Sequence, residues 1–239
     1  MKLITNKLRA LFLMAIFSSN LMASEEIHYI GFNAFPVDNK EDSRERFDNY
    51  IENLIPIMQR YGMTLEIYDV VHGGSDDLKA DVVTFGSVKN MEVFQTFFKD
   101  PEFIAIYPTL HKSLSGHQVV FTTQPFSLEN EGVGHTLLSL NWLAGNPEES
   151  ATELSQLLAG TSEQQKKYGV NQLISSNAIM SNKGLAAENK ATVPPHQVEL
   201  WSMDNAHGFL DNVQVKEMNH IAKKLIQRSE DFWLKKRKI

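Results

Sequence analysis

The 239-residue chain contains no cysteine. That excludes a disulfide staple, a thiol nucleophile and a thiolate metal site. G-x-S-x-G is absent, and with it the nucleophile elbow of serine hydrolases. No P-loop or G-x-G-x-x-G occurs, so nothing supports nucleotide binding. His-Glu-x-x-His is missing, and no two histidines stand three or four residues apart, so no protein-held metal is expected. His111 and His117 would meet only if a turn brought them together. Positive charge is scarce: 23 Lys and Arg face 29 Asp and Glu. Nucleic acid is excluded as a partner, because phosphate contacts need clustered cations. The one basic cluster, Lys235-Lys236-Arg237-Lys238, reads as a solvated end rather than a lipid contact.

Long apolar runs are also absent, except near the N-terminus. Lys2, Lys7 and Arg9 precede an apolar stretch from Ala10 to Phe17, and Ser18 to Ala23 leads to a small-residue site. The apolar core is shorter than the roughly 20 residues a membrane span needs. Residues 1–23 are therefore expected to be a signal peptide cleaved after Ala23. With no cysteine at the cleavage site, lipoprotein processing is excluded. The expected product is soluble, with no transmembrane segment after the signal, and periplasmic or secreted. It keeps 216 residues, the 239 of the chain less 23, and a net charge of −9 from 20 cations and 29 anions. That length suits two domains of about 100 residues.

What the chain has is a repeat. His28, Phe35, Asn39, Tyr61 and Gly62 find His135, Trp142, Asn146, Tyr168 and Gly169 at an offset of 107. Ser87, Asn90 and Phe94 find Ser202, Asn205 and Phe209 at an offset of 115. An interval this long indicates a duplicated domain, not a solenoid, whose repeats run about 20–50 residues. Strands are expected at 27–35, 64–71, 81–86 and 118–123, with a turn at His72-Gly73-Gly74. A helix capped near Asn39 should kink at Pro56 and stop at Gly62. A second helical stretch breaks at Asp100-Pro101. In the second half, strands are expected at 137–143, 171–180 and 197–202, with a short last one from Phe232. Pro147 starts one helix, with Asn146 as its cap. Residues 213–226 form another, with Val213, Met218, Ile221, Ala222 and Leu225 facing inward. Ser181 to Pro195 reads as a long connection. The order is βαββαβ twice, the ferredoxin-like arrangement. Domains are expected at 24–125 and 135–239, joined by a linker at 126–134.

Tyr50-x5-Pro56-x4-Tyr61-Gly62, then Asp81-Val82-Val83 with Phe85, then Phe97-x2-Asp100-Pro101-Glu102-Phe103, resembles the DUF1330 branch of the dimeric α/β barrel superfamily. The resemblance covers about 95 residues of the first repeat. Thr109-Leu110-His111 stands where that branch commonly has an arginine. The resemblance implies an α+β protein. Two tandem ferredoxin-like sheets would pack face to face as an intramolecular pseudo-dimer, with edges free for a homodimer. It also implies that any turnover is an oxidation or isomerisation without a tightly bound organic cofactor.

Three functional readings follow. The first is binding or conversion of a small, partly apolar molecule in a pocket of the barrel. Glu66, Tyr68 and His72 alternate on one strand, so they should share a face and offer acid–base chemistry. Asn33 and Asn141, on the first strands of the two repeats, are candidate ligand amides. The second is haem: some haem-degrading relatives use an Asn, a Trp and a His, which Asn141, Trp201 and His207 match in type and order, with His220 as an axial alternative. The third is a non-catalytic periplasmic binding or interaction module. No cofactor is expected under the first and third.

Overall fold

The computed structural model describes residues 26–75, 78–122, 124, 135–183 and 195–237. The expected signal, the expected linker and Lys238 lie outside them. In the first half β1 (Ile27–Ala34), α1 (Lys40–Arg60), β2 (Thr64–Gly73), β3 (Val82–Val88), α2 (Met91–Phe97), α3 (Pro101–Ser113) and β4 (Gly116–Thr122) follow in order. In the second come β5 (His135–Leu143), α4 (Pro147–Ala159), α5 (Ser162–Lys167), β6 (Val170–Lys183), β7 (Gln197–Met203), α6 (Ala206–Asp211), α7 (Val213–Leu225) and β8 (Ile226–Lys236).

All pairings are antiparallel, and the described strands close a barrel in the order β1-β3-β2-β8-β5-β7-β6-β4. Read from β4, each half contributes its strands as fourth, first, third, second. The second strand of each half pairs with the fourth of the other, and each of these seams carries a bulge, at Val70/His72 and at Phe121/Thr122. A closed barrel has no unpaired edge. The expected free edges are thus corrected: they are used up in joining the halves.

Alternation on the strands makes two cores. Ile30, Phe32, Tyr68, Val83, Phe85, Val120, Leu138, Leu140, Val198, Leu200 and Phe232 fill the lumen. The opposite faces pack under helices. In the first half α1 and α3 lie over the sheet with Phe47, Tyr50, Leu54, Phe103 and Leu110 inward. Asp100 caps α3, accepting from the N–H groups of Glu102 and Phe103. Burial works to raise its pKa, but Arg60, Tyr61 and those N–H groups hold it down at about 2.

The two halves place similar caps at corresponding helix starts. Asn90 accepts from the N–H of Val93, and Asn205 from that of Gly208, at the starts of α2 and α6. Gly62 and Gly169 both adopt positive φ, at +65° and +61°, where a side chain is strained. The first strands need a correction. Ile27 pairs with Val88 and His135 with Met203, so β1 and β5 correspond at an offset of 108. The sequence matches His28–His135 and Phe35–Trp142 therefore fall one residue out of register.

Other boundaries moved for local reasons. The expected turn residues His72 and Gly73 belong to β2, which continues to pair with β8 past its bulge. The strand after Asn171 extends to Lys183, because β4 supplies partners as far as Gln118. β8 starts at Ile226, six residues before the expected Phe232, since the polar run Arg228–Asp231 pairs with β5 and Ile226 rejoins the ladder past a register shift. On α7, Val213 is 68% exposed and Ile221 41%, so neither faces inward as expected; Val215, Met218 and Ala222 do. No helix among the described residues is long and apolar enough to cross a membrane.

Candidate functional site

On β2 the structure brings Glu66 and Tyr68 together and separates His72 from them. The Tyr68 hydroxyl, buried in the lumen, donates to Glu66 Oε2 at 3.1 Å. Glu66 also pairs with Lys236 Nζ at 3.1 Å on β8. The bulge adds one residue, so His72 lies opposite Trp233, an outward-facing residue, and is exposed. The expectation of one shared face is corrected by that bulge. Glu66, Tyr68 and Lys236 close one side of the packed lumen across the β2–β8 seam.

Asn33 and Asn141 occupy matching places outside the lumen, on the faces turned towards the helices. Asn33 lies between Val82 and His117 in the ladders; Asn141 lies between Gln197 and Ser229. The Asn33 carbonyl accepts from Asp81 N–H and the Asn141 carbonyl from His196 N–H. Two residues on, Asp81 Oδ2 accepts from Phe35 N–H, as His196 Nδ1 accepts from Leu143 N–H, both at 2.8 Å.

The side chains around the two amides differ. In the first half Asn33 Nδ2 donates to the carbonyls of Gly31 and Val82, and Oδ1 accepts from His117 Nδ1–H at 2.8 Å. Burial, then the neighbouring His111, push His117 down to about 4, so it stays neutral. Thr84 fills the place beside Gly31, where even a Cβ would come within 2.5 Å of its hydroxyl. This amide is satisfied and walled in.

In the second half the positions of Gly31, Thr84 and His117 are taken by Ser139, Glu199 and Ser229. Glu199 is 5% exposed. It accepts from Asn141 Nδ2, Gln172 Nε2 and Gln197 Nε2, each at 3.2 Å, and the Trp201 indole lies near enough to favour its charged form. Ser229 Oγ donates to Asn141 Oδ1 at 2.9 Å, and Ser139 Oγ to Asp231 Oδ1 at 2.6 Å. Burial pushes Glu199 up to about 7; the donors oppose this, and the nearby Asp231 adds to it. Gln172, Ser175, Ser229 and Asp231 are exposed and form a polar rim. The structure thus brings Asn141 and Trp201 together through Glu199, a residue sequence reasoning missed. Its signal was there: Gln197, Glu199 and Trp201 alternate on a seven-residue strand whose every position is buried.

His207 and His220 do not join this group. His207 is exposed on α6 beside buried Ala206 and Phe209. His220 is exposed on the side of α7 opposite Met218 and Ala222. The Trp201 ring packs among Val170, Met203, Phe209, Val215 and Met218. These residues do not fit a haem: neither imidazole faces the sheet, and the indole is packed into the apolar cluster under the helices. Among the described residues no group of three or more His, Asp or Glu gathers to hold a metal ion.

No protein-family profile matches the chain, and no curated protein matches it in sequence. Solved structures do resemble it. An anthrone oxidase-like protein aligns with a TM-score of 0.56 at 9% identity, over 90% of this chain and 93% of that one. A candidate monooxygenase from Fusobacterium nucleatum aligns at 0.55 and 9% identity, over 91% and 94%. A mutant chlorite dismutase from Candidatus Nitrospira defluvii aligns at 0.53 and 12% identity, over 90% and 93%. At such identities the likeness is one of fold: the dimeric α/β barrel, closed here within one chain.

Proposed function

We propose that this protein binds a small, partly apolar molecule between its second sheet and the helices over it, with Asn141, Glu199 and Trp201 at the centre. One observation carries the reading: a buried carboxylate held by three uncharged amide donors stands where the first half has Thr84. Burying a carboxylate without a cation is costly, and a fold gains nothing from it that a threonine does not supply. A polar rim open to solvent lies beside it, next to the apolar cluster around Trp201. Such a mixture is what binding sites for small organic molecules use. A carboxyl titrating near neutrality also equips the site to exchange a proton with what it binds. The anthrone oxidase-like and monooxygenase neighbours are compatible with a small organic ligand, and their fold is the support they lend.

The reading includes the origin and place of the chain. Matching caps, matching glycine turns and the shared strand order support two ferredoxin-like repeats from one duplication, the first DUF1330-like. The N-terminal sequence supports export with cleavage after Ala23, to the periplasm or beyond it. Haem has no place in this reading.

The test is native mass spectrometry of the full chain expressed with its N-terminal segment and purified from a periplasm. A mass lacking 23 residues and carrying a small organic adduct is expected. The adduct should vanish in Asn141→Ala and Trp201→Phe and persist in Asn33→Ala. A bare protein, or an adduct lost equally in all three, contradicts the reading.

A further inference from the structure

The charge around Glu199 identifies a ligand class, on the premise that the polar rim beside Glu199 and Trp201 is the binding site. Each donor to Glu199 is uncharged, and the charged group acting on it is another carboxylate, Asp231 on β8. Neither acid takes part in a salt bridge among the described residues. The helices laid over this sheet turn Ser150, Leu154, Val215, Met218 and Ala222 inward, none of them charged. A second observation is independent of charge. Gln197 is 4% exposed; its Nε2 serves Ser175 and Glu199, while its Oε1 is buried with no hydrogen-bond donor. An orphaned buried acceptor is costly. Beside it the three amide bonds to Glu199 are long, so dipoles surround the carboxylate without neutralising it.

We propose that the Gln197–Glu199 corner receives the ammonium group of an organic amine whose apolar body lies towards Trp201. An ammonium brings three donors and the missing positive charge, so it satisfies Gln197 Oε1 and compensates Glu199 together. The first half has no counterpart: Val82 and Thr84 hold the equivalent places, with neither charge nor orphaned acceptor. Binding is linked to ionisation. The amine prefers the ionised carboxylate, so its affinity rises with pH up to the titration of Glu199 and then levels off. Complex formation in the acid arm releases a proton.

The test is calorimetry of the full chain with three probes that share one ring: benzylamine, benzyl alcohol and benzoate. At pH 8 benzylamine should bind at least tenfold more tightly than benzyl alcohol, and benzoate more weakly than either. Below pH 7 that advantage should shrink up to tenfold per unit, with proton release seen in buffers of different ionisation heat. Glu199→Gln should remove the advantage and keep benzyl alcohol binding. Equal affinity for amine and alcohol overturns the amine and leaves the proposed binding site standing. Calcium binding at the site in place of benzylamine overturns the organic ligand in favour of a metal ion. No binding by any probe overturns both site and amine.

Discussion

The amides of Asn33 and Asn141 sit at equivalent points of the barrel, and their surroundings have taken opposite courses. Around Asn33 the packing is complete: an imidazole kept neutral, a glycine with no room for a Cβ, and a threonine beside it. Around Asn141 every equivalent position is polar or charged, and the network runs from Asp231 through Ser229, Asn141 and Glu199 to Gln172. The helix layers differ in the same sense. One unbroken α1 of 21 residues covers the first sheet, whereas its counterpart is split into α4 and α5, of 13 and 6 residues. On the proposed reading the first half supplies stability, which leaves the second free to carry a group that stability alone would reject.

Exchanging the central residues should break this comparison most severely. Thr84→Glu buries a carboxylate against Gly31 and an Asn33 amide already engaged with backbone carbonyls, and should cost about 3–5 kcal/mol in urea unfolding. Glu199→Thr should cost under about 2 kcal/mol while abolishing ligand binding. Equal losses in the two variants would mean that the halves do not differ as described.

The next effect is on pH dependence, and its sign differs between the halves. Glu199 has a folded pKa raised to about 7 from 4.5, so the native state holds the extra proton. Its stabilisation is fully present below about 4.5 and is lost as pH rises through 7. His117 has a folded pKa lowered to about 4 from 6.5. Its stabilisation is present above 6.5 and is lost as pH falls towards 4. Each arm amounts to about 3 kcal/mol at most, from about 1.4 kcal/mol per unit. The two windows overlap between about 4.5 and 6.5, where the opposing slopes cancel, so thermal unfolding across pH 4 to 9 should be nearly flat. Glu199→Gln should unmask a rise in stability with pH up to about 6.5, and His117→Gln a fall with pH up to about 7.

Smaller effects sharpen the comparison. Asn33→Ala leaves the buried His117 N–H without an acceptor and should cost about 1–3 kcal/mol. Asn141→Ala, beside the solvent-exposed Ser229, should cost about 1 kcal/mol and show mainly as lost ligand. His207→Ala and His220→Ala, both exposed, should change stability by less than about 0.5 kcal/mol and leave binding intact.

Much of the fold is legible in the chain because its signals are local. Gly62 and Gly169 mark the positive-φ stops, Asp100-Pro101 marks a cap, and the paired Asn90 and Asn205 start equivalent helices. What escaped local reading depends on partners distant in sequence. The polar run Arg228–Asp231 becomes strand only because β5 pairs with it. His72 changes face because of a bulge at the seam between halves, which alternation on β2 cannot reveal. The site was half visible. Asn141 and Trp201 stand out by type, but Glu199 draws them together across a ladder that only the closed barrel creates.

The most direct measurement is the 13C titration of the Glu199 side-chain carboxyl by NMR, assigned with Glu199→Gln. The account predicts a midpoint near 7 in the free protein, moving downward when benzylamine is added. A midpoint near 4.5 that ignores the amine would contradict it, and would make the second half as purely structural as the first.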